Sequence, residues 1–489
     1  MKEPLVIESI DACVDYILDT IPGTIVFGIP LGIGKPNPLV NALYRRIKAN
    51  PSRKMRMITA LSLEKPVGHS DLEKNFLQPL VERVFGDYPD MDYVKDSRAG
   101  HLPPNIEVQE FFMKTGDYLG NANAQMAYIS TNYTYVARDM AVQGMNLIAQ
   151  AVAAQGSADG MRLSLSSNPD ISEEVIDCVR ATGQSLLAIG VINHKMPFMP
   201  NGAEVSPGLF DVILTDPAAT HDLFAPPNNK VGAADYAIGL HASSLVADGG
   251  TLQIGIGSLG DAIGQALIVR DRHGVQYKNI LESLCPQGVA GRELGRFDIG
   301  LYGCSEMFVN GFLRLIEAGI IRREVYDDVV LQQLLNSGKI ADESVTPATL
   351  RALLDAGRIR SPLANDDLSF LKRFGILRPE VELNGQQLTF EDKHCGNDLL
   401  DDASFECVST HMLGSRLTHG VFMTGGFFLG PRDFYERLRT MPAQELAKID
   451  MTRIDFINQL YGNDALKRAQ RRKARFMNTT MVVKRALRR

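Results

Sequence analysis

Polar and apolar positions along the chain alternate between strand-like runs and stretches of helical periodicity. The first β-branched run, Thr24–Phe27, leads into the glycine-containing loop Gly28–Gly34. Apolar residues then recur at helical spacing through Asn37–Lys48. The pattern predicts a strand, a glycine loop and a helix in succession.

The same order of elements occurs again in the second half of the chain. A strand is predicted at Thr251–Ile254, and it is followed by the loop Gly255–Gly260. A helix is predicted over Asp261–Arg270, with the Asp261 side chain placed to cap its N-terminus. Two copies separated by far more than a solenoid period predict two tandem α/β domains.

The segments between the two copies favour the same fold class. The apolar runs Arg162–Leu165 and Leu186–Ile192 are predicted strands, and Met140–Gln155 is predicted to be helical. This alternation predicts open parallel sheets covered by helices. The segment Phe224–Lys230 is the predicted linker, so we expect an N-terminal domain at residues 1–228 and a C-terminal domain at 229–489. Within the second domain, charged helical stretches predict a helical insertion at about residues 337–390.

Composition and charge exclude several classes of protein. Of the 489 residues, 45% are hydrophobic and 22% are charged, which is typical of a globular protein. The net charge of -6 gives no overall attraction to nucleic acid or acidic membranes. The ten Lys or Arg of residues 467–489 are interpreted as a solvated helix face or a frayed end. Because no signal peptide and no membrane-length apolar run is present, we predict a cytoplasmic protein whose six cysteines are reduced.

The second glycine loop matches the pattern G-x-G-x-x-G between a strand and a helix. The residues concerned are Gly255, Gly257, Ser258, Leu259 and Gly260. Backbone N–H groups of such a loop bind phosphate at a helix N-terminus. Three interpretations stay open: a dinucleotide site, a site for another phosphorylated ligand, and a tight structural turn. A dinucleotide site also needs an acidic residue ending the next strand, and although Glu282 has a suitable offset, Gln276–Leu284 makes a poor buried strand.

One carboxylate, Glu306, lies in Leu301–Gly311 between a small-residue approach and a glycine exit. A carboxylate attacks an acyl group usefully when it is held still, partly desolvated and close to oxyanion donors. Glu306 is therefore the candidate nucleophile, and an ordinary surface or helix-capping carboxylate is the alternative. Cys304 competes as a nucleophile, but no histidine is near it in the sequence.

The roles of two further groups of residues stay open. His394, Cys395, Cys407 and His411 carry zinc-ligand chemistry, but their spacing matches no common zinc site, so we predict no metal. The segment Thr424–Phe434 is predicted to be a turn before a helix, and it either lines a site or forms a close-packed junction.

Several segments together resemble the acetyl-CoA hydrolase and CoA-transferase family. They are Gly28–Pro36, Thr59–Pro66, Gly249–Asp261 and Gly303–Gly319. Gly303–Phe308 is similar to the family's Ser/Thr-Glu-Met active-site segment. The resemblance implies a pair of open α/β domains with the active site between them, and it suggests a homodimer.

The resemblance also implies a mechanism, a set of partners and roles for particular residues. Glu306 would attack an acyl-CoA thioester and later carry CoA as a glutamyl-CoA thioester, with a small carboxylate or water as the acceptor. CoA would be a substrate, and no cofactor would be tightly bound. The loop at Gly255–Gly260 suits the phosphates of CoA. Backbone N–H groups of the loop carrying Gly28, Gly32 and Gly34 would serve as oxyanion donors.

The C-terminal end departs from the family pattern. In the family, a segment resembling Phe476–Met481 continues into a helix, a strand and another glycine-rich loop, whereas here Val482–Arg489 is charged and ends the sequence. We therefore expect a truncated second domain whose sheet lacks strands, and a protein less stable and less active than a full-length relative.

Two other functions remain as alternatives to acyl-CoA chemistry. The first is an NAD-dependent dehydrogenase that uses the same glycine loop. The second is a catalytically impaired fragment that binds CoA and serves only as a binding or assembly partner.

Overall fold

A computed structural model of the chain describes residues 3–156, 160–227 and 230–457. Its strands are β1 Leu5–Ile7, β2 Ile25–Gly28, β3 Met55–Thr59, β4 Ile106–Glu110, β5 Leu147–Gln155, β6 Arg162–Ser164, β7 Leu187–Ile192, β8 Glu204–Val205, β9 Val212–Leu214, β10 Thr251–Leu252, β11 Tyr302–Phe308, β12 Glu382–Asn384, β13 Gln387–Phe390, β14 Lys393–Gly396, β15 Met423–Phe428 and β16 Ile449–Met451.

The helices cover the sheets and connect successive strands. They are α1 Ile10–Thr20, α2 Asn37–Lys48, α3 Asp71–Val84, α4 Asp92–Arg98, α5 Ala122–Met126, α6 Val136–Val142, α7 Ser172–Ala181, α8 Ala233–Ser243, α9 Ser258–Arg272, α10 Gly274–Leu284, α11 Asn310–Glu317, α12 Val329–Asn336, α13 Pro347–Asp355, α14 Asn365–Arg373, α15 Asp402–His411, α16 Arg432–Thr440, α17 Ala443–Leu446 and α18 Ile454–Ile457. None of these described helices is both long enough and apolar enough to cross a membrane.

The first sheet is built from the N-terminal part of the chain. Seven of its strands are parallel, in the order β1-β9-β7-β5-β2-β3-β4, and β6 and β8 extend it in antiparallel pairing. The central strand β7 is buried along its whole length. Such a continuous apolar strand is typical of a parallel sheet covered on both faces, which confirms the predicted α/β class.

A second parallel sheet follows with the order β10-β11-β15-β16. Strand β11 lies between β10 and β15, and Ser305 pairs with Gly425. The segment predicted as a turn, Thr424–Phe434, thus begins as strand β15 and reaches helix α16 only at Arg432. That prediction was wrong at its start, because the two glycines here serve close strand packing and not a turn.

Between α11 and β15 the chain leaves this sheet for a mainly helical insertion. It contains α12 to α15 and a small antiparallel sheet of β12, β13 and β14. The insertion has its own apolar core, with Tyr326 and Leu417 at its limits, so it extends on both sides of residues 337–390. Cys395 and Cys407 form a disulfide within it. The prediction of six reduced cysteines was therefore wrong for these two, and two of the four residues considered for zinc are joined to each other.

Two local predictions were also wrong. The segment Met140–Gln155 is not one helix, because α6 ends at Val142 and β5 begins at Leu147. Pairing with β2 and β7 buries β5 between neighbours, and this tertiary environment overrides the helix propensity of its alanines. Helix α9 begins at Ser258, so Asp261 lies in its first turn and does not cap it.

The two sheets are held together by polar contacts as well as by apolar packing. The Asn201 side chain donates hydrogen bonds to the carbonyl oxygens of Ala447 and Ile449, each at 2.9 Å. The backbone N–H of Ile454 donates to the carbonyl of Asp170 at 2.7 Å. The predicted boundary at residue 228 and the C-terminal segment behind the truncation prediction lie outside the described residues.

Candidate functional site

The candidate nucleophile Glu306 lies near the carboxyl end of β11 in the second sheet. In open α/β sheets, ligands bind at the carboxyl ends of the strands. The Glu306 side chain is partly buried, and among the described residues it has no hydrogen-bond or ion-pair partner. Burial raises the pKa of its carboxyl above the usual glutamate value. A half-buried carboxylate without a partner is poorly solvated, which makes it a better nucleophile.

The second glycine loop follows β10, the strand next to β11. The Ser305 hydroxyl donates to the carbonyl of Ile254 at 3.4 Å, which ties the residue before Glu306 to the start of the loop. Gly257 has a φ of +119°, a conformation that favours glycine. At Gly260 an added Cβ would lie 2.1 Å from the Gly255 carbonyl oxygen. The loop backbone therefore depends on Gly257 and Gly260, and helix α9 begins within the loop at Ser258.

A pocket of about 310 Å³ lies beside this loop. Its lining is Pro226, Pro227, Ile256, Gly257, Asp261, Val309, Asn310, Leu429, Gly430 and Pro431. No lysine or arginine is among these residues, and Asp261 contributes a carboxyl whose pKa is raised by burial. The Asn310 Oδ1 atom is buried, and no described residue donates a hydrogen bond to it. The pocket thus offers apolar surface, the backbone of the glycine loop, the Asp261 carboxyl and the Asn310 Oδ1 acceptor.

The first glycine loop is buried. Every residue from Ile25 to Asn37 is excluded from solvent. Ile33 belongs to the same apolar cluster as Ile254 and Phe308, so the loop packs against the carboxyl ends of β10 and β11. An added Cβ at Gly34 would lie 2.4 Å from Asn168 Oδ1.

Asn168, Asp170 and Tyr133 form a polar series that begins at the first loop and ends in an electrostatic interaction with Glu306. Asn168, which contacts Gly34, donates to Asp170 at 3.4 Å. Tyr133 donates a hydrogen bond to the same carboxyl and interacts electrostatically with Glu306. Burial raises the pKa of Asp170 to about 7, against the hydrogen bonds from Tyr133 and Asn168. The Tyr133 hydroxyl, held by Asp170, is thus the polar group of this series that lies within electrostatic range of the candidate nucleophile.

A buried lysine holds the first loop from the other side. Lys35 is 1% exposed and donates to the carbonyls of Pro30 and Ala60, both at 2.7 Å, and to the hydroxyl of Thr59. Burial lowers its pKa to about 7, and the nearby Glu110 carboxylate opposes this shift.

The sequence prediction therefore found part of this arrangement and missed another part. Glu306 lies on β11, and Gly255–Gly260 follows the adjacent strand β10. Gly28, Gly32 and Gly34 are buried in the first glycine loop, which packs against the ends of these two strands. Lys35 stands inside a motif segment, but nothing in the sequence marks it as buried. Tyr133 and Asp170 come from separate segments, and no sequence spacing connects them to Glu306.

Comparisons with known proteins complete this description. The chain matches none of the models that describe protein families. A stretch of 160 residues is 28% identical to the 4-hydroxybutyrate coenzyme A transferase of Clostridium kluyveri, covering 33% of this chain and 28% of that protein. The match thus spans less than a third of the relative's length.

A solved structure shares the fold at low sequence identity. A RipA variant covers 93% of this chain and 68% of its own, with a TM-score of 0.50 and 14% identity. The 4-hydroxybutyrate CoA-transferase of Porphyromonas gingivalis covers 93% and 69%, with a TM-score of 0.42 and 13% identity. Over the matched stretch of 160 residues the sequence is similar to a coenzyme A transferase, which agrees with the resemblance noted from its motifs.

Proposed function

We propose that this chain is an enzyme that hydrolyses small acyl-CoA thioesters such as acetyl-CoA, or transfers their CoA to a carboxylate, through a covalent glutamyl-CoA thioester. The observation that carries the proposal is Glu306, a half-buried carboxylate without a hydrogen-bond partner among the described residues, at the carboxyl end of β11. A relative in sequence is a CoA transferase.

The reaction follows from the chemistry of a carboxylate nucleophile. Glu306 attacks the thioester carbon, and the C–S bond breaks to give a mixed anhydride and CoA thiolate. The thiolate then attacks the Glu306 carbonyl and expels the acyl group as a carboxylate. An acceptor carboxylate repeats these steps in reverse, or water hydrolyses the glutamyl thioester to the free enzyme and CoA.

The glycine loop is proposed to hold CoA close to Glu306. Among the described residues that line its pocket none is cationic and one is Asp261, so the pocket suits the neutral pantetheine arm better than a phosphate. The free Oδ1 of Asn310 is a suitable acceptor for a pantetheine amide. We propose Gly28, Gly32 and Gly34 as the wall that faces the acyl group from the first sheet.

Trapping the intermediate tests the proposal. Wild-type protein is incubated with acetyl-CoA, treated with borohydride and digested for mass spectrometry. We expect the peptide containing Glu306 to carry either CoA or the alcohol formed by reduction of the thioester. The matched control is Glu317→Gln, which removes a surface carboxylate of α11 that pairs with Arg314.

Each outcome has a defined meaning. Labelling that is lost in Glu306→Gln and retained in Glu317→Gln supports the proposal. An unmodified Glu306 peptide from folded wild-type protein contradicts covalent catalysis, and retained CoA binding would then favour the binding-fragment alternative.

The dehydrogenase alternative makes a different prediction. Glu282, the acidic residue that it requires at the end of a strand, lies on helix α10. A ligand that binds only the native state raises the melting temperature. We expect stabilisation by CoA, and stabilisation by NAD alone would contradict the proposal. The cytoplasmic location and the homodimer stay predictions.

A further inference from the structure

The Lys35 ammonium group joins two loops that leave adjacent strands of the first sheet. Pro30 belongs to the loop after β2, and Thr59 and Ala60 belong to the segment after β3. All three oxygen atoms accept a hydrogen bond from Lys35 Nζ. Since an ammonium group has three N–H donors, the described contacts use its full donor capacity.

A buried carboxylate accompanies this ammonium group. Glu110 ends β4, is 2% exposed and is the charged residue that acts electrostatically on Lys35. It accepts hydrogen bonds from the Ser62 backbone N–H at 3.4 Å and from the Tyr118 hydroxyl at 3.2 Å. Tyr93, hydrogen-bonded to Ser62, also faces this carboxylate. Glu110 therefore holds the segment Thr59–Pro66 at Ser62, two residues after the Ala60 carbonyl that Lys35 binds.

The segment Thr59–Pro66 has a backbone conformation that needs such support. Leu61 has a φ of +51°, in the left-handed region that is unfavourable for a side chain with a Cβ. Non-glycine residues persist in this region when surrounding contacts hold them, and they are frequent at functional sites. Such contacts hold both neighbours of Leu61 in the chain. Lys35 binds the carbonyl of Ala60. Glu110 binds the backbone N–H of Ser62.

We propose that Lys35, with Glu110 as its counter-charge, is a positioning residue that fixes the loops Gly28–Gly34 and Thr59–Pro66 against each other at the acyl site. Lys35 itself lies behind the loops and does not touch the substrate. The role in catalysis rests on the proposed function, whereas the role in holding the loops does not.

A double variant separates positioning from stability. Lys35→Met removes the positive charge near the buried Glu110 carboxylate, and we expect a large fall in melting temperature. In Lys35→Met/Glu110→Gln both charges are removed, so most of the melting temperature should return. The loops, however, still lack their hydrogen bonds. Lys48→Met, which removes an exposed lysine of α2 paired with Asp96, is the control.

Two measurements are made on the double variant. Hydrogen–deuterium exchange of the peptides containing residues 28–36 and 59–66 should be at least roughly tenfold faster than in wild type, with the β7 peptide unchanged. In turnover of acetyl-CoA, kcat should fall by about 100-fold, because small misplacements of catalytic geometry cost that much. The KM should change by less than about threefold.

The outcomes keep this inference distinct from the proposed function. Unchanged exchange in both loops, or full recovery of kcat together with the melting temperature, overturns the role of Lys35. If the double variant does not fold, Thr59→Val is used instead, because it removes one acceptor while keeping both charges. Faster exchange of the two loops is again expected, and unchanged exchange contradicts the inference. If wild type shows no turnover and no Glu306 adduct, the proposed function fails while the exchange result still decides the positioning role.

Discussion

The two glycine loops of this protein have the same place in a strand–loop–helix unit but different surroundings. In the first loop Ile29 and Ile33 are 1% and 2% exposed, whereas in the second Ile256 and Leu259 are 55% and 42% exposed. An added Cβ meets Asn168 at Gly34 but open space at Gly255. One local sequence pattern therefore supports both a buried, closely packed loop and a solvent-exposed loop.

The largest effect on turnover is expected at Glu306, the proposed nucleophile beside the exposed glycine loop. Glu306→Gln should lower turnover of acetyl-CoA by at least about 10⁴-fold. The folded pKa of Glu306 is raised, so its stabilising contribution is complete below the unfolded pKa and is lost as pH rises through the folded pKa. We therefore expect the variant to melt at a higher temperature than wild type at pH 7 but not near pH 4. A lower melting temperature at pH 7 would show that the carboxylate has a stabilising partner.

Alanine substitutions in the two loops compare them directly. Gly34→Ala should destabilise the protein by about 1–3 kcal/mol, because the buried Asn168 side chain has little room to move. Gly255→Ala should change stability by less than about 0.5 kcal/mol but weaken CoA binding, since its methyl group enters the ligand-facing space. Chemical denaturation and CoA titration measure the two effects. Equal stability changes would remove the distinction between the loops.

The pH profile gives a smaller effect. In the proposed mechanism turnover requires ionised Glu306, and burial raises the pKa of this carboxyl above its usual 4.5. We expect the acid limb of kcat/KM to lie above pH 4.5 and activity to increase as pH rises through it. An acid limb at the ordinary glutamate value would indicate that Glu306 is solvated in the free enzyme.

The smallest effect on turnover is expected from the insertion. Removing the disulfide with Cys395→Ala/Cys407→Ala opens a loop with a sequence separation of 12. Loops of about this size contribute about 3 kcal/mol, so the insertion should lose stability while kcat stays within about twofold of wild type. The control is Cys178→Ala, a free thiol in α7. A large loss of kcat would mean that the insertion shapes the site.

Sequence alone predicted the elements whose signals are local. Helix α2 was predicted over Asn37–Lys48 and has these bounds, because its apolar spacing and its flanking loop agree. The segment Met140–Gln155 was misassigned because alanine-rich helices and buried central strands have similar composition, and only pairing with β2 and β7 decides. Lys35 and Asp170 were missed for a related reason: burial and partners from distant segments determine their pKa, and neither is visible in a single sequence.

The contact of Asn201 with strand β16 has a consequence for cooperativity. Its amide satisfies two backbone carbonyls of the second sheet from a turn that belongs to the first. If the two halves separated, these bonds would pass to water, and the apolar cluster that Met199 of the first half shares with Phe308 and Met423 of the second would be exposed. The halves should therefore behave as one folding unit, with a single unfolding transition, and neither half alone is expected to be a stable module.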